Sequence, residues 1–117
     1  MIDWSRVAEL RDEVGPEDFG EVVDLFLEEV DEVVERLRNK AVDGPLEEAL
    51  HFLKGSSLNL GFATFSSLCR DGERAAADGH ADSVDVSQIV ESYDRSRKVF
   101  TDGVDSLGGY STNSASA

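Results

Sequence analysis

One histidine, one lysine and one glycine sit close together in the stretch HFLKGSSLNLG, His51 to Gly61. Imidazole is a good nucleophile near neutral pH and can carry a phosphoryl group on a ring nitrogen. A phosphorylated ring gains negative charge, which a lysine one helical turn away offsets. His51, Lys54 and Gly55 stand at i, i+3 and i+4, so a helix places them side by side. Alone, His51 reads as a boundary histidine and Lys54 as a solvated lysine. Gly55 resists so plain a reading, because glycine inside a helix costs about 1 kcal/mol relative to alanine. Retained there, it marks close approach to the backbone, here by a partner reaching His51 from outside.

The elements that must position these residues are helical throughout. Asp3 caps a short first helix over about 4–13. Gly15-Pro16 breaks it and starts a second helix over about 16–41, with Glu17 and Asp18 at its positive end. Phe19, Val22, Val23, Phe26, Val30, Val33, Val34 and Leu37 form its apolar stripe, leaving acids such as Glu28, Asp31 and Glu32 on the other faces. A third helix, about 45–60, turns Leu46, Ala49, Leu50, Leu53, Ser57 and Leu60 inward. His51 follows Leu50 by about 100° and leaves that stripe. Gly61 stops the helix. A fourth, about 62–78, buries Phe62, Phe65, Leu68, Cys69, Gly72 and Ala76. A fifth, about 85–107, presents Val86, Ile89, Val90, Tyr93, Phe100, Val104 and Leu107. The fold expected is all-α: an antiparallel four-helix bundle over residues 1–107 with a short N-terminal cap helix. The Gly/Ser-rich tail, 108–117, is expected to be disordered.

Composition narrows the function. The chain has 117 residues and a formal net charge of −14. So acidic a surface repels phosphate backbones and anionic lipid, which argues against nucleic-acid and membrane partners and favours a monomer. Cys69 is the one cysteine, so no internal disulfide forms and no Cys/His cluster suggests zinc. It reads as a small buried hydrophobe, and His80 as a surface residue of a turn. No basic start followed by an apolar run suggests a leader, and no stretch is long enough to span a bilayer. A cytoplasmic location is the expectation.

HFLKGSSLNLG resembles the signature of histidine-containing phosphotransfer (HPt) domains, His-x-x-Lys-Gly followed by small residues and a later Gly. It is similar to the monomeric phosphorelay carriers of fungi and plants. The early Trp4, the long acidic second helix and the hairpin of third and fourth helices extend the likeness over about residues 3–107. The resemblance implies that His51 is the phosphoacceptor, that Lys54 compensates phosphoryl charge, and that Gly55 leaves room for a partner. Phe52 and Leu58 read by position as core-boundary residues, whereas the resemblance implies an apolar docking patch that includes both. The implied partners are response-regulator receiver domains and a hybrid sensor kinase. No bound cofactor is implied; Mg²⁺ comes with the receiver. Related members place a Gln on the fourth helix against the histidine ring, and the position corresponding to it here is Glu73. A carboxylate there can accept from one ring N–H and leave the other nitrogen as the nucleophile.

Two other readings compete. Glu48 and His51 match half of the Glu-x-x-His pattern of di-iron bundles, but the other histidine, His80, has Ala77 where a second glutamate is required. An acidic helical adaptor that binds a receiver or kinase without carrying phosphate would typically have lost the histidine or the lysine, and both are present. A nucleotide-using kinase lacks support, since the chain has no P-loop and no Gly-rich phosphate cradle.

Overall fold

The structure, a computed structural model, describes residues 2–39 and 44–104. Helix α1 runs Trp4–Val14, α2 Pro16–Arg38, α3 Leu46–Leu60, α4 Ala63–Ala77 and α5 Val86–Val104, with one 3₁₀ turn at Ala81–Ser83. The architecture is the all-α helical bundle expected, α1 lying against α2 and α3. Boundaries fall within a few residues of those read from the sequence. The proposed tail at 108–117 and Leu107 lie outside the described residues.

Local chemistry sets the helix ends. The Asp3 carboxylate accepts from the Arg6 backbone N–H at 3.2 Å and caps α1. Pro16 opens α2 directly after Gly15, whose φ of 90° few other residues adopt. Gly61 closes α3 in the left-handed region, φ 79°. There the Phe62 N–H bonds the Ser57 carbonyl at 2.9 Å and the Gly61 N–H bonds the Leu58 carbonyl at 3.2 Å, a Schellman pattern. The entering chain crosses this corner: the Asp3 N–H donates to the Gly61 carbonyl at 2.7 Å. A Cβ on Gly61 would stand 2.7 Å from the Asp3 carbonyl oxygen, so the corner admits glycine alone.

The core gathers Phe19, Val23, Leu27, Val30, Val34 and Leu37 of α2 with Leu50, Leu53 and Leu60 of α3, Phe65 and Cys69 of α4, and Ile89, Val90, Tyr93, Phe100 and Val104 of α5. Trp4 stacks on Phe100, ring centroids 6.1 Å apart, and lies over Gly103, where a Cβ would meet its ring at 2.5 Å. The stripe of α2 departs from the reading in detail. Leu27 is buried, whereas Phe26 and Val33 are only partly covered.

Asp31 corrects a second expectation. Instead of facing water like Glu28 and Glu32, it is half-buried and accepts from Arg97 Nε at 2.9 Å, from Arg97 Nη2 at 2.8 Å and from the Tyr93 hydroxyl. Arg38 makes a second two-pronged bond, to Asp94 at 2.9 and 3.1 Å, so two arginine–carboxylate clamps join α2 to α5. Burial pushes the Asp31 carboxyl up, but the bonds from Arg97 and Tyr93 outweigh it and hold the group below its ordinary value. The folded chain therefore binds this proton more weakly than the unfolded chain. The stabilisation is complete above the unfolded carboxyl value of about 4 and is lost as pH falls through the lower folded value. Asp31→Asn is expected to cost about 1 kcal/mol at neutral pH in urea unfolding, the difference from wild type shrinking as pH falls below the unfolded carboxyl value.

Candidate functional site

The site is built on the α3–α4 hairpin. Its two helices are joined through Gly61 and Phe62 alone. Two contacts set their register. The Ser66 hydroxyl donates to the Lys54 carbonyl at 3.2 Å. Gly72 is buried against Leu50, where a Cβ would meet Leu50 Cδ1 at 2.9 Å. With Gly72 facing Leu50, the next residue of each helix, Glu73 and His51, emerges from the same seam.

The Glu73 carboxylate then bridges two side chains of α3. Its Oε2 lies 2.8 Å from His51 Nδ1, and its Oε1 lies 2.8 Å from Lys54 Nζ. The His51 side chain is 69% exposed while that of Glu73 is 18% exposed, so the ring projects to solvent from an anchored base. The Lys54 hydrogen bond lowers the Glu73 pKa most; burial opposes it, and the His51 contact lowers it further. The net effect holds Glu73 below the usual carboxylate range. An ionised carboxylate only accepts, so it meets an Nδ1 that carries hydrogen. In the neutral ring this leaves the Nε2 lone pair outward, the arrangement a nucleophile needs.

The surroundings of the ring are open on one side and acidic on another. A Cβ on Gly55 would meet nothing within 4 Å, so its missing side chain leaves space above the helix rather than serving internal packing. Leu58, 55% exposed, returns to within about 20° of the direction of His51, and Phe52 points about 100° away, on the side opposite Lys54. His51, Lys54 and Glu73 are thus brought together, Gly55 and Leu58 continue the same face, and Phe52 flanks it. Sequence reasoning did not single out the shallow concavity beside His51, lined by Pro45, Glu47, Glu48 and Glu73. Its signal was the pair Glu47 and Glu48 one turn before the histidine. A more apolar cavity between Leu37, Leu46, Val84, Val86 and Val90 contains none of these residues. Cys69 is buried one turn before Glu73, its thiol pushed up to about 12 by burial and by the Glu73 charge, which leaves it unreactive. His80 is exposed, as read.

The sequence model of the Hpt domain family matches residues 21–99, more than half of the chain. The chain belongs to the Hpt domain family. No curated protein and no solved structure matches it. As an HPt domain it serves phosphotransfer in two-component signalling, a carrier role exercised with response regulators and kinases. Among the described residues of this HPt domain no helix is long and apolar enough to cross a membrane.

Proposed function

We propose that this HPt domain carries a phosphoryl group on His51 between aspartates of response-regulator receiver domains, in a relay fed by a hybrid sensor kinase. The supporting observation is the Glu73 bridge. It fixes Nδ1, aims Nε2 at solvent, and keeps the Lys54 ammonium one turn away, where it can follow the incoming charge. Gly55 gives the receiver access; Leu58 and Phe52 supply apolar contact with it.

The chain acts as a passive monomeric carrier in this reading. Positioning and charge stabilisation of the transferring group fall chiefly to the receiver and its Mg²⁺. Among the described residues no three His, Cys, Asp or Glu side chains group as a metal site. The test is incubation with a phosphorylated receiver domain and Mg²⁺. The expected product is one phosphoryl label, labile in acid and stable in base, as a phosphoramidate is. Binding to receivers with no label from any of them would replace the carrier by an adaptor.

A further inference from the structure

The residue against the histidine ring is a carboxylate here, and a carboxylate differs from an amide in one respect that matters after phosphorylation. An amide both donates and accepts, whereas an ionised carboxylate only accepts. Opposite a phosphorylated ring that has lost its Nδ1 proton, an amide can turn its NH₂ toward the bare nitrogen. Glu73 cannot, and two acceptors 2.8 Å apart would oppose each other.

The proton on Nδ1 governs the transfer chemistry. When His51 is loaded, the Nε2 lone pair bonds to phosphorus while the P–O bond of the aspartyl phosphate breaks. That bond's electron pair leaves with the aspartate carboxylate. The ring, still protonated on Nδ1, becomes a phosphoimidazolium. In onward transfer a carboxylate oxygen of the next receiver bonds to phosphorus, the P–Nε2 bond breaks, and its pair returns to Nε2. Neutral imidazole is the leaving group, and no proton moves in either step. Without the Nδ1 proton the ring would have to leave as imidazolate, a far poorer leaving group.

We propose that Glu73 keeps the proton on Nδ1 throughout the phosphorylated life of His51 and so makes this chain a strong phosphoryl donor whose transfer persists into alkaline pH. This inference rests on the carrier reading. The charges around the ring act together. On α3, Glu47 and Glu48 line the concavity beside it and Lys54 is paired with Glu73. On α4, Arg70 turns to Ser67 and Asp71, one turn before Glu73. The three carboxylates near the ring outnumber the one ammonium, so the surrounding charge favours the ring that keeps its proton. The carboxylates also oppose the phosphoryl charge, Glu73 most closely through the ring it bonds at 2.8 Å.

Glu73→Gln isolates the effect, since the amide preserves shape and can still accept from Nδ1–H. The phosphorylated variant is expected to lose its ring proton about one pH unit or more below wild type. Onward transfer to a receiver should lose its alkaline limb by the same shift. At equilibrium with that receiver the variant should retain about three- to tenfold more phosphoryl than wild type, because one opposing charge is gone. A measurement on the unaltered protein supports or rejects the proposal independently: ¹⁵N spectra of phosphorylated wild type should show Nδ1 protonated from about pH 6 to about pH 8. Coincident pH profiles and equal equilibria for the two proteins, or a ring that deprotonates in wild type as in a free phosphohistidine peptide, overturn it. Wild type that takes up no phosphoryl at all overturns the carrier reading, and this inference with it.

Discussion

His51→Gln removes all label acquired from a phosphorylated receiver and leaves the helical circular dichroism spectrum unchanged. The chemical half of this expectation follows from the loss of the ring nitrogen: an amide nitrogen is not nucleophilic and no neighbouring group replaces Nε2. The other histidine, His80, lies in a turn beyond the end of α4. The structural half follows from exposure. The His51 side chain is 69% exposed and contributes nothing to the core, and Glu73 retains Lys54 as a partner. Unfolding free energy should therefore stay within about 0.5 kcal/mol of wild type. Label that survives the substitution would place the acceptor elsewhere.

Substitution of Gly55 separates stability from transfer. Its Cβ position is empty of neighbours, so Gly55→Ala adds a methyl without a clash and should stabilise the chain by about 0.5–1 kcal/mol in urea unfolding. Gly55→Gln should be at least as stable as wild type, because glutamine also exceeds glycine in helix propensity. Yet its longer side chain occupies the space one turn from His51 through which the receiver must bring its aspartate. Displacement of the reacting atoms by about 1 Å costs on the order of 100-fold in rate, and that is the loss expected for transfer to Gly55→Gln. Transfer at the wild-type rate from a stabilised glutamine variant would show that the glycine serves no approach.

Most of the architecture was legible in the chain because its signals are local. The three-and-four spacing from Phe19 to Leu37, the caps at Asp3 and Gly61 and the break at Gly15-Pro16 each depend on neighbours within a turn or two. The face that carries His51 was legible for the same reason: His51, Lys54 and Gly55 belong to one turn of one helix. The closeness of Glu73 was reached only through the family resemblance, since helical period says nothing about how two helices are slid past each other. The structure supplies that register in the Gly72–Leu50 contact.

Asp31 shows where local reading fails. It borders the apolar stripe, and whether a border residue meets water or a neighbour depends on the helix that packs there. Its partners Tyr93 and Arg97 lie 62 and 66 residues away. A hint existed in their own spacing, because Tyr93 and Arg97 at i and i+4 present a hydroxyl and a guanidinium side by side. The buried serines Ser66, Ser92 and Ser96 were invisible for a simpler reason: hydropathy does not count a small hydroxyl as a core residue, though close helix contact favours one.

The α3–α4 corner has a consequence for how the protein moves. His51 and Glu73 are 22 residues apart, and the chain between them is a hairpin closed by a Schellman turn and pinned by the Asp3 bond across it. The His51 ring and the carboxylate bonded to it therefore belong to one cooperative segment. Fraying at the far ends of α1 or α5, or a tilt of α2 under a docking receiver, leaves their separation unchanged. Amide hydrogen exchange should open α3 and α4 together as one of the slower units of the molecule. The geometry of the His51–Glu73 pair is thereby insulated from the breathing of the helix ends.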